Sequence, residues 1–281
     1  MSRSSYAGFG PRIDVRDLFT GERDALVALL EGLDGPRWHA ATACPGWSVK
    51  DIAAHVVGDD VGRLARTRDG FAGTGPHDEE DLPQFLDRIN DEWVVAARRM
   101  SPELLISCLR WTGPQVADMW RVLPFDQLGE PVSWAGPAPA PVWMDAARDF
   151  TEYWVHHQQI REAVGESVQL VAHVVGVVVD TFMRALPHTL RSVERPIGTR
   201  LTVTVDGPGA GSWTVERDAG GWMFVPPGQS AGNVVRIDVD TAWRLCTRGI
   251  DPDTARHRAA ITGDAALGHA ALGIVSIIWN G

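Results

Sequence analysis

The sequence predicts an α plus α+β architecture: a four-helix bundle followed by a small α+β domain with an antiparallel sheet. Up to Gly165, apolar residues recur every three or four positions in four long stretches joined by loops, the pattern of an up-and-down bundle. After Gly165 the pattern changes to short alternating segments bounded by Gly, Pro and Asp, which read as strands. A further set of helical segments closes the chain, an order of strands then helices that suits an α+β layer. The domains are therefore expected at residues 1–165 and 166–281.

In the first half, Asp14 to Leu33 places Phe19, Leu26, Leu29, Leu30 and Leu33 near a 3.6-residue period, and Gly32, Gly35 and Pro36 end it. The second helix runs from Ser48 to Arg66 or Asp69. Ser48 is its N-cap, Asp51 a capping-box partner that also complements the positive helix end, and Trp47 a staple onto Ile52. Gly70 to Pro83 is a loop rich in Gly, Pro and acids. Leu82 to Met100 is a third helix with Phe85, Ile89 and Trp93 on one stripe, and Pro102 to Leu109 and Gln115 to Leu123 read as further helical segments. Pro124 to Pro141 carries too much Pro and Gly to be regular, and so long a connection points to a lid or a pocket wall. Val142 to Gly165 has no breaker until its final glycine.

The second half opens with an apolar helix from Val168 to about Leu186. Leu201 to Val205 and Ser212 to Glu216 alternate on either side of an Asp206-Gly-Pro-Gly-Ala-Gly hairpin loop, and Gly221 to Val225 and Val234 to Val239 add two strands. Thr241 to Arg248, Asp253 to Ala260 and Asp264 to Trp279 are helices expected to cover one face. The closely spaced glycines at 207–211 lack the Lys-Ser/Thr of a phosphate loop and form a turn.

Composition narrows the function classes. A chain of 281 residues with 44% hydrophobic and 22% charged residues is ordinary for a globular protein, and a net charge of -10 without a clustered basic run argues against nucleic acid. Cys44, Cys108 and Cys246 are widely spaced and odd in number, which suits a reducing compartment. The start lacks the apolar core of a secretory signal, and the most apolar run, Leu170 to Val179, is far shorter than the ~20 residues a bilayer needs. A cytoplasmic protein with no membrane partner is expected, as monomer or homodimer.

The chemistry-bearing residues lie on two helices. His55 follows Ile52 and precedes Val56 and Asp59 at helical spacing, beside an apolar stripe; alone, it reads as a buried His donating to a carbonyl, the commoner case, before it reads as a ligand. On the Val142–Gly165 helix, Glu152 and His156 are four apart and share a face, with Asp149 on it too. Such a pair also occurs as a plain hydrogen-bonded surface pair. His157 is rotated by roughly 100° and reads as a flanking polar residue. His55, Glu152 and His156 together supply two imidazoles and one carboxylate, three protein ligands as in catalytic zinc sites with an open position.

These residues carry a family resemblance. TACPGWSVKDIAAHV resembles the cPGWtvrDvvaH signature of mycothiol-dependent maleylpyruvate isomerase-like proteins, and FTEYWVHHQQIREAVG is similar to the closing helix of that family's first domain. The resemblance covers about the first 165 residues best, and TAWRLCTRGIDPDTARHRAAITGDAALGHAAL is similar to the family's C-terminal module. It implies a DinB-like bundle holding a divalent metal, zinc being expected, through His55, Glu152 and His156. It also implies a sterol-carrier-protein-like second domain and mycothiol as thiol co-substrate.

The resemblance thus implies an enzyme in which a metal-bound thiolate attacks an electrophilic small molecule, giving either isomerisation or a stable S-conjugate. The family's substrate is a dicarboxylate, so an arginine clamp is expected; Arg244 and Arg248 are the candidates, although a plain helix-surface role is the commoner one for such residues. Trp134, in the Pro/Gly connection, is the candidate pocket wall beside the bound thiol. Cys44 precedes Pro45 outside the helix and reads as a small buried residue more than as a nucleophile. Two rivals remain open: a hydrolase or lyase activating water at the same site, and a non-catalytic binding protein with a structural metal.

Overall fold

A computed structural model describes residues 9–131, 134, 139–226 and 232–274. Its first helix, α1 (Phe19–Glu31), starts later than Asp14 because the Asp14 carboxylate accepts from the Arg16 backbone N–H at 3.3 Å and from its guanidinium, holding the preceding residues in a turn. A short α2 (Gly35–Trp38), capped by Asp34, leads to α3 (Val49–Arg63). The expected capping box closes α3: Ser48 Oγ accepts from the Asp51 N–H, and Asp51 Oδ2 accepts from the Ser48 N–H at 3.0 Å. A π-helical turn over Leu64–Arg68 prolongs α3.

The composition of the bundle departs from the expected one. The two segments expected after Pro102 are a single 21-residue helix, α5 (Pro102–Val122), which continues through Pro114. Proline deletes one backbone donor there, but Leu105, Leu109, Thr112, Val116 and Trp120 keep one buried stripe across it, and packing outweighs the lost bond. It is α5 that joins α1, α3 and α6 (Val142–Ala163) in the bundle. The Leu82-to-Met100 stretch forms α4 (Leu82–Ala97), which lies outside α3 and buries only Val94 and Ala97. The connection before α6 is also more regular than its composition suggests: β1 (Leu128–Pro131) and β2 (Pro139–Pro141) pair antiparallel.

One buried carboxylate ties the four bundle helices together. Asp60 on α3 receives both terminal nitrogens of Arg23 from α1 at 2.7 Å, Thr112 Oγ1 from α5 at 2.5 Å and the Tyr153 hydroxyl from α6 at 2.6 Å. Gly113 makes room for this: a Cβ there would stand 2.6 Å from Arg23 Cγ.

The second half begins with α7 (Ala172–Met183) and the short α8 (Leu186–Thr189). The sheet contains β3 (Arg200–Asp206), β4 (Gly211–Arg217), β5 (Trp222–Val225), β6 (Asn233–Asp238) and β7 (Ala260–Thr262), in the order β5-β4-β3-β6-β7. Its pairings are antiparallel except β3 with β6, which run parallel. Strand β7 takes the end of a segment read as helix; Ala260 to Thr262 pair with β6 instead. Three helices, α9 (Val239–Cys246), α10 (Pro252–Arg258) and α11 (Ala265–Ala271), complete this half. Residues 275–279 of the helix expected from Asp264 to Trp279 lie outside the described residues. The β3–β4 turn sits against α7: Gly209 has φ 71°, and a Cβ on it would lie 2.5 Å from Gly176 N.

Helix α6 joins the two halves, packing against α7, while Trp154 meets Trp243 of α9 edge-to-face at 5.7 Å between centroids. Fifteen of its 22 residues are buried, so most sides of α6 face protein and few of its positions face water. Among the described residues no helix is long and apolar enough to cross a membrane.

Candidate metal centre

Helices α3 and α6 run antiparallel, since His55 meets Glu152 while Arg63, two turns further along α3, meets Asp149, one turn earlier on α6. The i,i+4 stripe of α3 carrying His55, Asp59 and Arg63 thereby faces the α6 stripe carrying Asp145, Asp149, Glu152 and His156. Apolar neighbours on both helices turn these polar stripes inward, so His55 and His156 are 4% and 1% exposed. Glu152 keeps a quarter of its side chain exposed, which gives the group an opening.

One ligand atom from each of His55, Glu152 and His156 lies within 4.8 Å of the other two. His55 Nε2 is 3.5 Å and His156 Nε2 is 3.4 Å from Glu152 Oε1, and the two rings are edge-to-face at 4.8 Å. With bonds of about 2.1 Å, neighbouring ligand atoms of a tetrahedral ion stand about 3.4 Å apart. The orientation of His156 fits such an ion as well. Its Nδ1–H donates to Gln159 Oε1 at 2.8 Å, which leaves Nε2 to ligate, and Nε2 is buried without a hydrogen-bond partner. The same Gln159 oxygen accepts from the Cys44 thiol at 3.3 Å, so Cys44 is a small buried residue behind the ligand and not a nucleophile facing the opening. The donor set of two imidazoles and a carboxylate therefore suits a divalent ion.

The electrostatics match a site built for positive charge. Burial pushes Glu152 up, but His156 and His55 outweigh it and hold the carboxyl down at about 2. Burial opposes charge on His156, yet the Cys44 and Glu152 groups beside it raise its pKa well above the ordinary value. Without an ion, a proton on the imidazole answers the Glu152 charge. Asp59, 3.2 Å from His55 Nε2, is raised to about 6, chiefly by burial and further by Glu152, against the pull of His55. One turn along, Arg63 binds Asp149 through two nitrogens at 2.8 and 2.7 Å and reaches Glu130 at 3.2 Å.

His157 points elsewhere, its Nδ1 2.7 Å from Glu22 on α1, as its helical phase predicts. Trp47 stands with its ring 5.0 Å from that of His55 and walls the site. Trp134 is packed into the core at 9% exposure. Arg244 does not join the triad: its guanidinium is taken by Asp240 on its own helix and by Glu162, ten residues beyond Glu152 and so about 15 Å further along α6. Arg248 closes α9 in the left-handed region at φ 57°, where glycine is the usual residue, and its Nη1 is buried without a partner. Sequence reasoning missed Gln159, Asp59 and Trp47 as members of this site. The signal was present as spacing, Gln159 three residues after His156 and Asp59 four after His55.

With this geometry in place, comparison with known proteins is informative. The sequence profile described as the mycothiol maleylpyruvate isomerase N-terminal domain matches residues 19–161, half of the chain. The chain belongs to that family. Two solved structures share its fold over most of both chains. A crystal structure of a mycothiol-dependent maleylpyruvate isomerase with one histidine replaced by alanine has 14% identity and a TM-score of 0.52, covering 88% of this chain and 90% of its own. A crystal structure of the mycothiol-dependent maleylpyruvate isomerase itself has 15% identity and a TM-score of 0.52, with 84% and 89% covered. At such identities the likeness speaks to fold alone. No curated protein matches the chain.

Proposed function

We propose that this protein is a divalent-metal-dependent enzyme that uses a low-molecular-weight thiol of the mycothiol type to isomerise, or to conjugate at sulfur, an electrophilic small molecule in the cytoplasm. The observation that carries the reading is the buried, unpartnered Nε2 of His156, aimed with His55 Nε2 at a single oxygen of Glu152. His55, Glu152 and His156 would hold the ion, with zinc expected from the two-nitrogen, one-oxygen donor set. Bound there, the ion supplies a Lewis acid that favours the thiolate form of a coordinated thiol at neutral pH.

The chain's own groups do the remaining work. Gln159 fixes the His156 tautomer, Trp47 excludes water from one side of His55, and the exposed edge of Glu152 marks where small molecules enter. Of the two candidate arginines for an anionic substrate, Arg244 is already engaged by two carboxylates, which leaves Arg248 as the candidate with a nitrogen not yet hydrogen-bonded, reachable only if that buried group turns outward. Family membership supports thiol over water as the nucleophile source.

Elemental analysis of purified variants tests the site. His55→Ala, Glu152→Ala and His156→Ala should each lose metal, while His157→Ala should retain it. Full occupancy in all three site variants would refute the assignment, and turnover undiminished in thiol-free buffer would replace the thiol chemistry with water activation.

A further inference from the structure

Asp59 lines the site but has been given no role at the ion, and its position is hard to account for as a surface acid. Its Oδ2 is shielded from solvent and has no hydrogen-bond partner. That oxygen lies 3.2 Å from His55 Nε2, comparable to the 3.5 and 3.4 Å separations among the triad atoms. The nearby guanidinium on the same stripe, Arg63, is already occupied by Asp149 and Glu130. We propose that Asp59 is a fourth ligand of the ion held by His55, Glu152 and His156, one that occupies the open position at rest and yields it to the incoming thiol. The proposal rests on the three-ligand reading above.

Two further points favour a displaceable ligand over a fixed one. The first is position: the Asp59 side chain is 27% exposed and so sits at the rim of the site, where it can swing away from an ion. Charge is the second point. A divalent ion with one carboxylate and two neutral imidazoles carries one uncompensated positive charge between two buried rings. Asp59 neutralises it, and so does a thiolate. Exchanging one anion for the other keeps the site neutral throughout; the thiol S–H breaks, its proton leaves to solvent, and the carboxylate returns to the rim.

Cobalt titration of the metal-free full-length chain tests this, with wild type, Asp59→Ala, Asp59→Asn and His156→Ala compared by visible absorption and β-mercaptoethanol as the thiol probe. Asp59→Ala should bind cobalt about tenfold or more weakly, with a changed visible band, while its loaded form binds the thiol several-fold more tightly because the competitor is gone. Asp59→Asn, an uncharged oxygen ligand, should fall between. Cobalt affinity and spectrum unchanged in Asp59→Ala, with cobalt lost in His156→Ala, would overturn the fourth ligand and leave the triad standing. Weaker cobalt binding without tighter thiol binding would overturn displacement. Equal cobalt binding in wild type and His156→Ala would overturn the triad itself.

Discussion

Gln159 never faces the opening, yet replacing it should change metal binding. Its Oε1 receives the His156 Nδ1–H at 2.8 Å and the Cys44 thiol at 3.3 Å, and the residue is 5% exposed. In Gln159→Leu the Nδ1–H loses its acceptor inside the protein, which costs about 1–3 kcal/mol. The ring escapes part of that cost by moving its proton to Nε2, the atom that must ligate. Metal binding then has to reverse the tautomer, and outer partners of this kind are worth about 10–100-fold in affinity, or roughly 1.4–2.7 kcal/mol. Gln159→Glu keeps the acceptor and adds charge, so it should bind zinc at least as tightly as wild type. Competition with a chromophoric chelator gives the dissociation constants, and nitrogen NMR of the imidazoles reports the tautomer. A wild-type dissociation constant in Gln159→Leu, with Nδ1 still protonated, would refute the reasoning.

Two perturbations test the frame around the site. Asp60→Ala strands the Arg23 guanidinium, the Tyr153 hydroxyl and Thr112 Oγ1 in the bundle core and should cost about 3–5 kcal/mol by urea unfolding; a loss below about 1 kcal/mol would show that the four-helix tie is dispensable. Burial raises Asp145 from 3.8 to about 6, against Arg148 and the Glu130 N–H. The folded state therefore holds the proton more tightly than the unfolded chain. This contribution is complete below about pH 4 and is lost as pH rises through about 6, on the order of 3 kcal/mol at 1.36 kcal/mol per pH unit. Urea midpoints between pH 4 and 7 should fall less steeply in Asp145→Asn, and identical slopes would count against it.

What could be read in the sequence was whatever depends on local spacing. The α3 start followed from Ser48 and Asp51, and the strands of the second half from alternation between turn residues. The Glu152/His156 pair followed from the helical period, but its meeting with His55 is a long-range contact that no local spacing reveals; residue types suggested the ligand set and the family resemblance implied it. The unbroken α5 was hidden because Pro114 is a local signal against helix, while the evidence for it, a stripe buried on α1 and α3, is tertiary. For the same reason Arg244 was open to misreading: nothing near it in sequence reveals that Glu162, 82 positions earlier, neutralises it. Pairing of the Pro/Gly connection as β1 and β2 likewise depends on Asp145 accepting from the Glu130 N–H, a bond between elements.

The meeting of Trp154 with Trp243, reinforced by Arg244 on Glu162, has a consequence for how the chain unfolds. Trp154 lies between Tyr153, which belongs to the Asp60 tie, and the turn of α6 that ends in His156. Pulling the sheet-bearing half away would wet an indole one residue from the first and two from the second. Separation of the halves and loosening of the ion-binding turn would therefore share one free-energy cost, and heat or denaturant should meet a single cooperative unit in which the far half acts as a brake on the opening of the near one.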